Sequence, residues 1–308
     1  MISSKIAILL AAFNGENYLS QQVDSLLSQT IPADIYISVD PSLDNTLSIV
    51  KSYSERHPNI SYFLNEIPSG SSCANFLKLL NKINLKKYDF ISFSDQDDIW
   101  LPDKVERSIL ELSANHCEII STSILPFSDS LYCNKYNAIN LPSQAFTKYS
   151  FLLKSYGSAC TIVVTTKAAK TIQRRTNFMS DEQISSLIFF DWLISAIASL
   201  DGLDWYQSSY VSIFYRQHQN NVLGASLGFR SFIKRFLFVM SDIYIQQVYL
   251  MTLVAPKDSL AGLFSSSFNK RYSALKYIIP SLFRNHGYFR PLVISLTLLF
   301  QLFRGKYS

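Results

Sequence analysis

Short apolar runs alternate with segments of helical apolar spacing over the first hundred residues. The runs cover residues 6–13, 35–39, 60–64 and 88–93, and the segments between them repeat apolar side chains every three or four positions. Such runs are typical of strands buried on both faces, and the intervening spacing is typical of amphipathic helices. The pattern predicts an α/β fold with a mostly parallel sheet and helices on both faces.

The rest of the chain continues with the same kinds of segment, less regularly spaced. A helix is expected from about Asp103, just after Pro102, and another over residues 182–200. Residues 126–158 are rich in Ser, Asn, Tyr and Pro and predict a long, partly irregular segment, whereas everything after Gly228 is expected to be helical. Further strands are expected over residues 117–125, 161–165 and 206–215.

The predicted strands end in polar residues. Asn14 follows the first strand, Asp40 the second, and the acidic sequence DQDD, residues 95–98, the fourth. Ligands of parallel sheets bind beyond the carboxyl ends of the strands. We therefore expect these side chains to converge on one rim that forms the binding site.

Composition supports a folded chain with two regions of opposite charge. Of the 308 residues, 48% are hydrophobic and 17% are charged, which excludes extensive disorder. The formal charge of +5 is unevenly spread, because residues 228–308 carry 11 Lys or Arg against two acidic residues. We expect an α/β domain over residues 1–227 and a basic, apolar helical region over residues 228–308.

Two apolar stretches could serve as a secretory signal or a membrane span, and the sequence pattern argues against both roles. Residues 6–13 follow a lone Lys5 and precede an Asn-Gly turn, so they predict a strand and not a secretory signal. The stretch from Leu292 to Phe303 has twelve residues, against the roughly 20 that a spanning helix needs. No transmembrane helix is expected.

The cysteines point to neither metal nor disulfide chemistry. They lack the CxxC spacing of a zinc site and the density of a disulfide framework. A reducing compartment is the resulting expectation. The four are Cys73, Cys117, Cys133 and Cys160.

Two interpretations of the cluster formed by Asp95, Asp97 and Asp98 are open from these residues alone. Three carboxylates this close repel one another unless a cation or hydrogen bonds offset their charge. Carboxylate oxygens suit Mg²⁺ or Mn²⁺, which bind one or two protein carboxylates together with substrate phosphates. A solvated acidic turn capping the next helix is the alternative. The apolar, aromatic sequences YDFISF and IWLP on either side indicate a rigid strand end and favour the metal site.

Five motifs, in order along the chain, carry a resemblance to a known family. The motifs are AAFNGENYLSQQVDSLLSQT, ISVDPSLDNTLSIV, PSGSSCANF, SFSDQDDIWLPDKV, and FFDWLISAIAS with YRQHQNNVLGA. Through them the chain resembles glycosyltransferase family 2, in particular its bacterial polysaccharide rhamnosyltransferase-like branch. The resemblance implies the GT-A fold and transfer of a sugar from a nucleotide donor with inversion at the anomeric carbon.

The resemblance implies roles for the residues of the acidic cluster and the first strand. Asp95 matches an acid that contacts the ribose of the donor. Asp97 and Asp98 match acids that bind the metal bridging the donor diphosphate. Ala12 and Asn14 flank the nucleotide pocket in similar proteins.

The second strand departs from the family pattern. Asp40 matches the second acid of a DDGSxD element that holds the nucleotide base and ribose. This chain has Val39 in place of the first acid and Pro41 in place of the glycine.

The resemblance further implies that Asp191 is the general base. A hydroxyl is a poor nucleophile at neutral pH, so a carboxylate must accept its proton during attack. An unpaired Asp in so apolar a stretch is costly to bury, which favours this role over that of a helix cap or surface acid. The family more often has an acid or His where this chain has Phe190.

Two basic residues near the last motif are further candidates. His218 lies in a segment that closes over the donor in similar sequences, where a His can contact the metal or the diphosphate. An ordinary loop histidine is the alternative. Arg216 is either a phosphate partner or a solvated residue on a strand flank.

The resulting hypothesis is a metal-dependent inverting glycosyltransferase of bacterial surface polysaccharide synthesis, such as that of O-antigen. The expected donor is dTDP-rhamnose, with a UDP-hexose as the alternative, and the expected acceptor is a glycan or a lipid-linked oligosaccharide. A non-catalytic scaffold of the same fold is a rival, favoured by Val39, Pro41 and Phe190. A nucleotidyltransferase is a weaker rival, because no basic phosphate loop follows the first strand.

The basic, apolar region over residues 228–308 predicts a place for the protein in the cell. Lys and Arg interleaved with aromatic residues suit an anionic membrane surface. We expect a cytoplasmic protein, peripherally associated with the inner face of the cytoplasmic membrane. A helical subdomain packed on the catalytic domain or on a partner is the alternative, and nucleic acid fits poorly because no known binding module is present.

Overall fold

The computed structural model describes residues 4–128, 155–218 and 241–254. These residues form eight strands and eight α-helices. The strands are β1 (Ile6–Ala12), β2 (Asp34–Val39), β3 (Ile60–Leu64), β4 (Phe90–Ser94), β5 (Ile99–Trp100), β6 (Ile119–Phe127), β7 (Val163–Thr165) and β8 (Trp205–Arg216). The helices are α1 (Leu19–Leu27), α2 (Thr46–Arg56), α3 (Ser72–Lys82), α4 (Lys104–Ala114), α5 (Thr166–Thr176), α6 (Asp181–Ser185), α7 (Phe190–Asp201) and α8 (Asp242–Leu253).

All eight strands belong to one sheet, in the order β3-β2-β1-β4-β7-β6-β8-β5. The first four in this order are parallel, and Ile8 of β1 pairs with Ile35 on one side and with Ser92 on the other. β7 runs antiparallel between β4 and β6, and the short β5 runs antiparallel to β8. The predicted α/β class and mostly parallel sheet are confirmed.

Helices cover both faces of the sheet, so β1 is buried on both sides. Ile8 and Leu10 pack with α1, α2 and α4 on one face, and Ala7 and Leu9 pack with α3, α5 and α7 on the other. Burial on two faces explains why β1 is a continuous apolar run in the sequence. These two cores fix the carboxyl ends of β1, β2 and β4, where the predicted site residues lie.

The prediction of a single helix over residues 182–200 is wrong, because the helix is interrupted between residues 185 and 190. The structure has two helices there, with α6 ending at Ser185 and α7 beginning at Phe190. Side chains from α8 and from the start of α3 bond to the backbone of the residues between them. Side chains from distant segments therefore bond to backbone groups at the break between α6 and α7. The local spacing of apolar residues does not reveal these contacts, so it does not predict the break.

Smaller differences concern the second half of the sheet. β6 and β8 lie within two residues of their predicted bounds, and a short 3₁₀ turn precedes β7. β5 is not predicted by the sequence pattern. Its two residues, Ile99 and Trp100, pair with Phe214 and Ile213 of β8 and so attach the segment after the acidic cluster to the end of the sheet.

The basic region after residue 228 is described only at residues 241–254, where α8 agrees with the predicted helix. α8 packs against α7, and the rings of Tyr244 and Trp192 have centroids 5.4 Å apart. The division at residue 227 stays a prediction, and Cys133 and the stretch from Leu292 lie outside the described residues. No helix in the described ranges combines the length and apolar character needed to cross a membrane.

Candidate functional site

The loops after β1 and β2 are bonded to each other and form one wall of the rim. Asn14 has a left-handed backbone (φ 47°), and its Oδ1 accepts the N–H of Leu43 at 2.9 Å. The N–H of Asn14 donates to the Ser42 hydroxyl at 3.1 Å. Ala12 lies at the end of β1 with its side chain in the core, and its carbonyl accepts the N–H of Asp40 at 2.9 Å. Both residues predicted beside the nucleotide pocket thus lie at the rim, Ala12 through its backbone.

Asp40 is buried and fully bonded to the chain. Its Oδ2 accepts the N–H of Ser69 at 2.9 Å, and its Oδ1 accepts the Ser69 hydroxyl at 2.7 Å and the Asn65 amide at 2.8 Å. Its relative exposure is 5%. The carboxylate therefore shapes the segment after β3, and its oxygens are already engaged.

Gln96, between the acids of the cluster, bonds to the backbone of the first loop. Its Oε1 accepts the N–H of Phe13 at 2.8 Å and its Nε2 donates to the Phe13 carbonyl at 2.9 Å. The side chain therefore ties the segment after β4 to the segment after β1, beyond the last pair of the two strands. Gly15 lies against it, since a Cβ at that position would come within 2.4 Å of Gln96 Oε1.

The end of β8 closes over the acidic cluster. The N–H of Arg216 donates to Asp98 Oδ1 at 3.0 Å, and its Nε donates to the Asp97 carbonyl at 2.8 Å. Nε2 of His218 lies 2.7 Å from Asp97 Oδ2, and the imidazole stacks on Tyr18 at 5.3 Å. Arg216 is 2% exposed, so of the two alternatives for this residue the solvated one is wrong. Its guanidinium lies 4.6 Å from the ring centroids of both Tyr18 and Phe127.

Two carboxyl groups of the cluster, those of Asp95 and Asp98, resist ionisation. Burial raises the pKa of Asp95 to about 7, and the charges of Asp97 and Asp191 act in the same direction. Burial, with the charges of Asp97 and Asp95, also raises the pKa of Asp98 well above its ordinary value, against the bond from Arg216. Carboxylate oxygens of Asp95 and Asp98 lie within 4.8 Å of each other and of the Cys160 sulfur. This is a place where a bound cation would relieve repulsion.

A buried lysine lies behind the cluster. Lys104 has no exposed surface, and its Nζ lies 3.6 Å from the centroid of the Trp100 ring and 3.3 Å from the Ser92 hydroxyl. Burial lowers its pKa to about 7, and the neighbouring Cys160 acts in the opposite direction. The lysine of the DDIWLPDKV motif therefore belongs to the interior and is not at the rim.

Asp191 lies in the first turn of α7, close enough to the cluster for its charge to raise the pKa of Asp95. Burial raises its pKa to about 6, while the Ser155 hydroxyl and the N–H groups at the helix N-terminus favour the charged form. Its charge acts on Asp95, as noted, and also on the buried thiol of Cys73. A carboxylate with this pKa is mostly ionised at neutral pH and can still accept a proton.

The structure brings most of the predicted residues to a single rim. Side chains of the acidic cluster, His218 and Asp191 converge there, whereas Ala12 contributes backbone and Asp40 a buried support. Sequence reasoning missed Gln96, although it lies within the strongest motif. It also missed Cys160, for which no local signal exists, because the contact depends on β7 lying beside β4.

The sequence matches the family described as Glycosyl transferase family 2 over residues 7–172, more than half of the chain. The chain belongs to this family. Its likeness to dTDP-rhamnosyl transferase RfbG of Shigella flexneri is 29% identity over 259 residues, covering 82% of this chain and 86% of the relative. Its likeness to the Escherichia coli glucosyltransferase WfgD is 29% identity over 163 residues, covering 52% and 59%.

Solved glycosyltransferases share the fold of this family 2 enzyme. Staphylococcus aureus TarS 1-349, in a complex with UDP, superposes with a TM-score of 0.55 at 16% identity, over 88% of this chain and 72% of the other. A mannosyltransferase from Pyrobaculum calidifontis superposes with a TM-score of 0.52 at 12% identity, over 99% and 87%. The expected GT-A fold and glycosyltransferase class are confirmed, and the nucleotidyltransferase and scaffold interpretations are set aside.

Proposed function

We propose that this enzyme transfers L-rhamnose from dTDP-rhamnose to a glycan or lipid-linked acceptor in bacterial surface polysaccharide synthesis. The observation that carries the catalytic part is the proximity of Asp191 to Asp95, whose pKa the charge of Asp191 raises, together with the raised pKa of Asp191 itself. The similarity to RfbG over most of both chains supports the donor. A UDP-hexose is the second candidate, favoured by WfgD, whose name gives UDP-Glc as its donor.

The residues present fit a divalent cation. Asp97 and Asp98 would hold Mg²⁺ or Mn²⁺, with His218 beside Asp97. One oxygen of Asp98, Oδ2, is buried and has no hydrogen-bond partner among the described residues, and hard carboxylate oxygens are the ligands these ions prefer. When bound, the ion offsets the negative charge that grows on the leaving diphosphate.

The protein groups would bind the donor and move one proton. Asp95 would contact the ribose, and the wall formed by Ala12 and Asn14, with Asp40 supporting it, would enclose the nucleotide. Asp191 would accept the proton of the acceptor hydroxyl as its oxygen attacks the anomeric carbon opposite the diphosphate. Attack from that face inverts the anomeric configuration.

The variant Asp191→Asn tests the catalytic assignment. The amide keeps the shape of the side chain and cannot accept the proton, so kcat with dTDP-rhamnose should fall by roughly 10²–10⁴-fold. The affinity for dTDP should stay within about threefold. Asp204→Asn, an exposed acid before β8, is the matched control and should retain full activity. Retained turnover in Asp191→Asn would contradict the assignment.

The acceptor and the cellular location form a separate part of the proposal. A lipid-linked acceptor would lie in the membrane, and the excess of Lys and Arg after residue 228 suits an anionic surface. Deletion of residues 287–308 should reduce sedimentation with vesicles containing anionic lipid at fixed salt. Unchanged sedimentation would contradict this role.

A further inference from the structure

The segment between α6 and α7 is held by side chains from two distant parts of the chain. Gln247 of α8 donates through Nε2 to the Ser186 carbonyl at 2.8 Å and accepts the N–H of Ile188 through Oε1 at 2.9 Å. From the other side, the hydroxyl of Ser71 donates to the carbonyl of Leu187. The carbonyls of Ser186 and Leu187 and the N–H of Ile188 are thus bonded to side chains outside α6 and α7, while the N–H groups of Ser186 and Leu187 bond back into α6.

The bonds of Gln247 are made in the interior. Gln247 has no exposed surface, and Leu187, between its two partners, has none either. A buried amide that loses its partners costs the free energy of desolvation, so this arrangement is well defined. Around it, α8 packs on α7 through Tyr244 and Trp192.

The segment leads directly into the first turn of α7. Ile188 is followed by Phe189, which caps the helix without a side-chain bond, and then by Phe190 and Asp191. Phe190 is 2% exposed, and the centroid of its ring lies 5.1 Å from that of Phe76 and 4.5 Å from that of Phe93. The direction of the segment therefore fixes where α7 starts and which way Asp191 faces.

We propose that Gln247 is a positioning residue for Asp191, so that the region after residue 228 helps to set the geometry of proton acceptance. The inference rests on the proposed function, because Asp191 must be the general base for its position to matter. Gln247 touches no reacting group. Its contribution is to hold the backbone of residues 186–188 in the shape that aims α7 at the acidic cluster.

The test compares Gln247→Met with Gln246→Met. Methionine matches the length of glutamine and makes neither bond, and Gln246 is the exposed neighbour on the same helix. For each variant, calorimetry with dTDP and Mn²⁺ counts the folded binding sites, and kcat is expressed per site. Gln247→Met should lose tenfold or more in kcat per site, with the dTDP Kd and the donor KM within twofold of wild type.

The outcomes separate positioning from simple support. If Gln247 only stabilised the fold, Gln247→Met would reduce the number of binding sites and leave kcat per site unchanged, which would overturn the proposal. An equal loss in Gln246→Met would overturn it as well. If Gln247→Met fails to fold, Gln247→Glu replaces it, because the carboxylate keeps the acceptor for the Ile188 N–H. This variant should show a smaller loss of kcat per site. No loss in Gln247→Glu would again refute the positioning role.

Failure of the proposed function has a different signature. Full activity in Asp191→Asn would refute the general base itself, whatever Gln247→Met does. An inactive Asp191→Asn together with a fully active Gln247→Met would refute only the positioning role.

Discussion

Replacing the buried Lys104 by methionine should change the pH dependence of stability. Lys104 has a pKa of about 7 in the folded protein, against about 10.4 in an unfolded chain. Between these values the unfolded state binds the extra proton, so the residue destabilises the fold most at and below pH 7, and this cost fades as the pH rises towards 10.4. Between the two pKa values, the unfolding free energy changes by about 1.36 kcal/mol per pH unit, slightly less near pH 7, where the folded lysine is itself half protonated. The destabilisation caused by Lys104 therefore falls by about 2 kcal/mol between pH 7 and pH 9.

Urea unfolding at pH 7 and pH 9 measures this effect. Lys104→Met lacks the titrating group, so its advantage in unfolding free energy over wild type should be about 2 kcal/mol smaller at pH 9 than at pH 7. Lys51→Met, at an exposed position of α2, is the control and should show no such change. An advantage of Lys104→Met that is equal at both pH values would refute the lowered pKa of a lysine buried in the core.

Three further outcomes are expected. Gly70→Ala should lower the unfolding free energy measured in urea by about 1–3 kcal/mol, because φ is +92° and the new Cβ would lie 2.7 Å from the Ser185 carbonyl oxygen. Gly202 also has a left-handed backbone but open space around it, so Gly202→Ala should cost less. Equal losses in the two variants would contradict the close contact at Gly70. Asp40→Ala should lower the unfolding free energy by about 2 kcal/mol or more, since it leaves buried donors unpaired; unchanged stability with lost dTDP binding would instead make Asp40 a ligand. Turnover at saturating donor should fall about tenfold per pH unit below about 6, where Asp191 becomes protonated, and a profile flat down to pH 5 would contradict its role.

The sequence predicts the fold well where local patterns and burial agree. β1 is an apolar run because both faces are covered, and the acids after β4 converge with the loop after β1 because parallel strands end at one edge. The broken helix is missed for the opposite reason. Residues 186–189 contain no Pro or Gly, and the bonds that stabilise the break come from Gln247 and Ser71.

Site residues follow the same division. Asp95, Asp97 and Asp98 stand together in the sequence, so their chemistry is visible in it. The sequence does not reveal that Lys104 and Cys160 lie beside the cluster. A lysine in an amphipathic helix is ordinarily exposed, and the cysteine reaches the cluster only through the pairing of β7 with β4. Contacts between distant segments decide which polar residues are buried, and a single sequence carries little of that information.

We expect the acidic cluster to form a metal-dependent nucleotide-sugar site. Titration calorimetry of dTDP, UDP and GDP into the full chain, with and without Mn²⁺, tests it most directly, with Asp97→Asn as the comparison. We expect dTDP to bind most tightly, and only with Mn²⁺, and Asp97→Asn to lose this binding. Binding that ignores the metal and the substitution, or no binding of any nucleotide to the folded protein, would contradict it.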